Sequence, residues 1–449
     1  MTRLEFQKQY VKIVVPLMLQ GMVTTLVAMV DTLMVGQLGD NAISAVSISN
    51  RILGILTMSL FGIASATGVF IAQYYGAKNT EKQQEVFRIS LLMSFTACLI
   101  AAVIIGLFPH TIVHFFVQVA SIETVAVDYI LIMLVSYIPF SLTMNYGTTL
   151  KVIGQVRVPL FASLVGVGVN TCLNYVLIFG QFNFPALGVK GAAIATVIAR
   201  IVECLILYTF TVVNRYDFQT KWVQMFHITK QTTLDVFKKA VPLCSNEIIW
   251  AFGMATILKI YATRGSEVIA AYAIADATST LFFSIAQAMN AATDVFISQQ
   301  LGANHFDKAF QNAKWMLQTA FIAALFLGMG MFTASFIVPN FYQVSPVSHD
   351  IAKTMIQIMA FMYWVYLVTV QCYYTLRSGG DMKSTLIMDG LFMWVVTIPV
   401  MASVAYLTPV TIFVIYLAGQ ACDLLKLATA LYFFFKKRWL QNLAVNKIL

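Results

Sequence analysis

Four side chains in the first half of the sequence could do chemistry together. Asp31 stands in VDTLMVGQLGD (residues 30–40), Asn170 and Asn174 in VNTCLNYVLIFG, and Thr196 in GAAIATVIAR. Each lies in an otherwise apolar stretch. One carboxylate, two amide oxygens and a hydroxyl suit Na⁺, because hard cations prefer oxygen ligands. The carboxylate alone would suit a proton. Asn170 and Asn174 are four apart and share one helix face. The other reading of the asparagines is hydrogen bonding between membrane helices. Asp31 is harder to read that way: an acid at the centre of a membrane helix costs roughly 2.5–3.5 kcal/mol on insertion scales and by default marks function.

A second group of acids lies in the other half: Glu247 in SNEIIWAFGM, beside Trp250 and Met254, and then Asp276, Asp294 and Asp389. Asp276 falls near the outer end of its span, and Asp294 and Asp389 deeper or nearer the cytoplasm. With Tyr137, Met144 and the other aromatic and sulfur side chains, apolar walls carrying a few acids suit a bulky organic cation. Glu203 is three residues from Arg200 and Asp423 three from Lys426, spacings that read as structural ion pairs within one helix. The intramembrane Arg/Lys cluster that a lipid-linked pyrophosphate would need is missing from this reading.

The elements that must hold these residues are membrane helices. The chain has 449 residues, 59% of them hydrophobic and 10% charged, with a mean hydropathy of +0.80. That is too little charge for a soluble surface of this length. Apolar windows of about 20 residues, the length that crosses a bilayer as helix, recur near 12–35, 49–74, 89–108, 126–148, 159–179, 190–213, 238–261, 273–299, 315–337, 354–376, 385–406 and 410–434. The first is too long for a cleavable signal and has no small-residue cleavage site. The six cysteines are scattered, without metal or redox spacing, and read as small buried apolar residues. With the termini and even-numbered loops assigned to the cytoplasm, 21 Lys/Arg fall there, whereas only Lys190, Arg264 and Lys353 fall opposite. The net charge of +9 therefore follows the positive-inside rule and gives no reason to expect nucleic acid.

The chain also repeats itself at an offset of 226. ATGVFIAQYYGA (66–77) matches ATDVFISQQLGA (292–303) at eight of twelve positions, VPL at 15–17 matches VPL at 241–243, and TLKVIG (149–154) faces TLRSGG (375–380). This predicts an all-α polytopic protein of two six-helix lobes related by a parallel repeat. The lobes are 1–213 and 238–449, joined by a polar cytoplasmic linker, 214–237, whose Trp222 and Phe226 could rest on the membrane surface as an amphipathic segment. Recurring residues should belong to the scaffold. Asp31, Asn170, Asn174 and Thr196 face Ile257, Val396, Val400 and Cys422, so they do not recur; nor do Glu247, Asp276, Asp294 and Asp389, which face Gly21, Asn50, Gly68 and Ser163.

VDTLMVGQLG, FIAQYYGA with FISQQLGA, VNTCLNYVLIFG followed by LGVKGAAIATVIAR, SNEIIWAFGM, and RSGGDMK with Asp389 downstream together resemble the multidrug and toxic compound extrusion (MATE) transporters through nearly the whole chain. The resemblance implies export of organic cations or drugs through a V-shaped cavity in exchange for Na⁺ or H⁺. It implies ion coupling at Asp31, with Asn170 and Thr196 as companions in the DinF-like branch, and a second acid at Glu247 as in NorM-like members. Where the DinF-like pattern often has aspartate in the fifth helix, this chain has Asn174, which leaves Na⁺ and H⁺ both open. The expectation is a monomeric antiporter of the cytoplasmic membrane, with no cofactor beyond its coupling ion. A flippase for a lipid-linked sugar or lipid is the alternative. HExxH, GxSxG and Walker motifs are missing, so neither an enzyme nor a nucleotide-driven pump is expected.

Both termini and the linker should then be cytoplasmic. A single cysteine placed at position 230 should resist an impermeant thiol reagent applied to intact cells and react once the cells are opened. Labelling from outside would reverse the topology.

Overall fold

The computed structural model describes residues 2–117, 119–220, 222–342 and 344–444, without the side chains of Met29, Asp40, Trp222, Ser266, Ile285 and Asn290. Lys221 and the Trp222 side chain of the linker thus lie outside the described residues. Twelve helices are long and apolar enough to cross a membrane. They are α1 (Arg3–Gly36), α2 (Asn41–Gly76), α3 (Thr80–Leu107), α4 (Ala120–Val152), α5 (Arg157–Phe179), α6 (Val189–Val213), α7 (Lys230–Ala262), α8 (Glu267–Gly302), α9 (Phe306–Ala334), α10 (Pro346–Ser378), α11 (Met382–Leu407) and α12 (Ile412–Phe435). Several run well past their apolar windows: α1 has 34 residues and α10 has 33. Hydropathy registers only the stretch suited to lipid, whereas backbone hydrogen bonding carries the helix on beyond it.

Among the described residues the linker holds one short turn at Trp222–Gln224, and its end is helical because α7 begins at Lys230, earlier than the apolar pattern suggests. Neighbouring side chains fix that start. Glu85 of α3 accepts from the Thr229 backbone N–H at 2.7 Å and from its hydroxyl at 2.5 Å, while Lys82 donates to Thr232 at 2.9 Å. A helix start has unsatisfied N–H groups, and a carboxylate is a strong partner for them.

The chain forms two compact units, Val15–Ala240 and Met1–Val14 with Val241–Leu449. The junctions, after residues 14 and 240, are 240 − 14 = 226 apart, the repeat offset. This division differs from a cut at the linker, because each lobe's first helix begins in the other unit. The first unit has its core in α2, α4 and α6, around Ala45, Leu53, Leu60, Ile130 and Ala193. The second has its core in α7–α12, around Ile260, Ala324, Met355, Leu367 and Ile415.

Polar ties inside the two units correspond. Tyr137 donates to the Leu53 carbonyl at 3.0 Å, and its repeat partner Tyr363 donates to the Phe282 carbonyl at 2.9 Å. Asn145 bonds Ser90 and Ser94, and its partner Gln371 bonds Thr293 and Thr375. Such pairs glue helices where no water competes. Four of the cysteines are buried, as their bland reading expects, but Cys172 is exposed and Cys244 only partly covered.

Glycines allow the closest approaches. A Cβ on Gly191 of α6 would lie 2.5 Å from the Leu177 carbonyl oxygen of α5, whereas one on Gly168 would meet nothing within 4 Å. Gly191→Ala should therefore separate α5 from α6 and cost about 1–3 kcal/mol, read as a lower melting temperature in detergent. Gly168→Ala should stay within about 0.5 kcal/mol of the parent.

Candidate functional site

The first unit brings its four predicted residues together. Asp31 comes from the last turns of α1, Asn170 and Asn174 from one face of α5, and Thr196 from α6. Asn174 Nδ2 donates to Asp31 Oδ1 at 2.8 Å. The Asn170 amide, oriented so that both its atoms are satisfied, donates from Nδ2 to Asp31 Oδ1 at 3.0 Å and Oδ2 at 2.8 Å and accepts at Oδ1 from the Thr196 hydroxyl at 3.3 Å.

Asn174 Oδ1 is buried without a hydrogen-bond partner among the described residues. A carboxylate beside such an oxygen can be completed by a cation or, at the carboxylate, by a proton. A cavity of ≈ 130 Å³ adjoins them, lined by Asp31, Asn170 and Thr196 together with Gly166, Arg200 and Glu203. It has room for a small ion and some water but is below the size of a site for a bulky organic molecule. Arg200 Nη1 does pair with Glu203 Oε2 on its own helix, at 3.3 Å. What the spacing did not show is that both groups line the same cavity as Asp31.

In the second unit, acids and bases form one chain of contacts. Glu247 Oε1 of α7 lies 3.6 Å from Arg377 Nη1 of α10. Arg377 also reaches the Tyr373 hydroxyl at 3.4 Å, to which Asn246 Nδ2 donates at 3.3 Å. Asn246 donates in addition to Asp389 Oδ2 at 3.0 Å, and Lys426 of α12 donates to Asp389 Oδ1 at 2.6 Å. Lys426 therefore pairs across helices with Asp389, and not with Asp423 on its own helix as the spacing suggests. Asp294 of α8 accepts from Ser378 at 2.5 Å and from Ser298 at 3.2 Å. Both Asp294 and Asp389 sit in π-helical turns, Asp294–Ser298 and Ile387–Leu391, a local widening that often accompanies functional side chains.

The structure thus groups Glu247 with Asp389 and leaves other predicted residues outside the network. Asp276 is exposed on α8. Tyr137 belongs to the helix ties of the first unit, and Met144 packs against that unit's core. Trp250 is partly exposed, and Met254 packs against the second core. Sequence reading missed Asn246, Tyr373, Arg377 and Lys426 as members of the network. It also missed that two bases stand among the acids of the second unit. The available signal was the repeat: Lys151 faces Arg377 and Arg200 faces Lys426, so basic residues recur at both positions while the acids do not.

Two six-helix units, each with polar side chains inside membrane-spanning helices, define a polytopic transport protein. The MatE family model matches residues 16–176 and again 242–418, two segments that begin 226 residues apart. The chain belongs to the MatE family of multidrug transporters and is a transporter, not an enzyme. It is 26% identical over 435 residues to the probable multidrug resistance protein YoeA of Bacillus subtilis, covering 96% of this chain and 94% of that one. It is 23% identical over 412 residues to a probable multidrug resistance protein NorM of Thermotoga maritima, covering 88% and 85%. In fold it matches an outward-facing MATE multidrug resistance transporter with a TM-score of 0.88, at 16% identity and 96% of each chain. A transporter from Pyrococcus furiosus, described as having a binding pocket of reversed polarity, matches with a TM-score of 0.86, at 17% identity and 96% of each chain.

The Asp389–Lys426 contact makes a stability prediction. Removing one partner of an enclosed ion pair strands the other, at about 3 kcal/mol, whereas replacing both is often neutral. Lys426→Met should lower the melting temperature, and Asp389→Leu added to it should recover most of the loss. Additive losses in the double variant would show that the pair does not act as a unit.

Proposed function

We propose that this transporter is a secondary antiporter of the cytoplasmic membrane that exports organic cations or drugs in exchange for inward Na⁺. The observation that carries the reading is the set of oxygens around Asp31, with Asn174 Oδ1 buried and unpartnered among the described residues. One carboxylate and neutral oxygens can hold one monovalent cation. A proton at Asp31 competes for the same carboxylate, so H⁺ can take the place of Na⁺.

Asp31 of α1, Asn170 and Asn174 of α5 and Thr196 of α6 would share a bound ion, which shifts the conformational equilibrium by the difference in its affinity for the two states. Paired acids and bases in the second unit favour a cationic drug over an anionic lipid headgroup, because Arg377 and Lys426 each already face a carboxylate. That speaks against the flippase reading.

The test is drug transport in proteoliposomes with Na⁺ and H⁺ gradients imposed separately. The parent protein should respond to the Na⁺ gradient. Asp31→Asn keeps the shape of the side chain but removes its charge, so it should insert and fold normally and lose gradient-driven export by at least an order of magnitude, the scale of one lost charge–ion contact. Parent-level export by a well-folded Asp31→Asn protein would exclude Asp31 as the coupling site.

A further inference from the structure

We propose that Arg200 is an internal competitor of the coupling ion, moving between Glu203 when the ion is bound and Asp31 when it is not. This rests on the reading of Asp31 as the ion site. Thr196, Arg200 and Glu203 lie at i, i+4 and i+7 on α6, one helix face. Arg200 is thus one turn, about 6 Å along the axis, from the Thr196 hydroxyl. The side chain is 37% exposed, and the cavity it borders is the one Asp31 lines. Its contact with Glu203 is a single one at 3.3 Å, and its guanidinium lies 4.5 Å from the centroid of the Phe140 ring. A planar cation on a flexible stem, stacked on a ring face, can pivot without losing that stacking.

The physical need comes from Asp31. A carboxylate left ionised inside a membrane bundle requires a counter-charge. When Na⁺ leaves, Arg200 is the cation that already shares the cavity. When Na⁺ arrives, Arg200 must have somewhere to go, and Glu203 is that place. Glu203 is buried, 9% exposed.

The repeat supports a mobile role. Its counterpart Lys426 is locked across helices to Asp389 at 2.6 Å, and Asp389 faces Ser163 in the first half, where no such acid exists. The cation is therefore kept in both halves, but the acid that would fix it is absent from the half with the ion site.

The experiment measures equilibrium binding of radioactive Na⁺ to the purified full chain at fixed pH. Arg200→Gln removes the competitor, so the half-saturating Na⁺ concentration should fall about tenfold, the effect of a contact worth about 1.4 kcal/mol. Glu203→Gln removes the retreat, so it should rise by a similar factor. The decisive arm is the double variant: without Arg200, Glu203→Gln should have no further effect. A Glu203→Gln effect of the same size with and without Arg200, or no change in either single variant, overturns the proposal. If Arg200→Gln does not fold, an unchanged half-saturation in Glu203→Gln alone overturns it. Asp31→Asn separates the two levels. Loss of binding there with unchanged Arg200 and Glu203 variants leaves the ion site standing and removes the competitor; undiminished binding there removes both, as does a parent protein that binds no Na⁺.

Discussion

A polar or charged group inside a lipid bilayer must find its partner within the protein, because no water is there to replace it. Most features of this molecule follow from that constraint. It makes the spans helical, so that backbone groups are satisfied within each segment. It draws the Tyr137 and Tyr363 hydroxyls to carbonyls of neighbouring helices and ties Asn145 and Gln371 to hydroxyls around them. It also makes every intramembrane acid informative, since each must be met by a base, a donor or an ion.

The two halves meet the constraint differently on one inherited scaffold. Position 200 and position 426 are both basic, as are 151 and 377. In the second unit these bases stand against Asp389 and Glu247 on other helices, which leaves a closed network of paired charges. In the first unit Arg200 meets Glu203 on its own helix, and Asp31 accepts hydrogen bonds from amides. Neutral donors satisfy a carboxylate's hydrogen bonds without cancelling its charge. In the second unit Glu247 and Asp389 are instead each met by a base.

The repeat sorted these residues well but incompletely. It marked Asp31, Asn170, Asn174 and Thr196 as departures from symmetry, and the structure links the four by hydrogen bonds, both asparagine amides meeting Asp31 and Asn170 meeting Thr196. Tyr137, read as part of a wall for an organic cation, recurs as Tyr363, and both hydroxyls tie neighbouring helices. Asp276 also departs from the symmetry, yet it is exposed. Asymmetry thus selects candidates, and it does not by itself distinguish a lining residue from one facing outward.

The sequence by itself determined the membrane class, the twelve helices, the parallel repeat and the identity of the oxygen-bearing residues. These depend on composition, on the apolar length needed to cross a bilayer and on identities at a fixed offset, all of which are local or linear. Only the tertiary structure decided that Lys426 pairs with Asp389 and not with Asp423, that Arg377 reaches Glu247, and that Arg200 and Glu203 share a cavity with Asp31. It also decided that α7 begins at Lys230 under Glu85, and that Asp294 and Asp389 sit in widened turns. Helical spacing gives the face of a residue relative to its own helix. Which neighbour that face meets is set by how several helices pack, and close approaches such as Gly191 on the Leu177 carbonyl fix it.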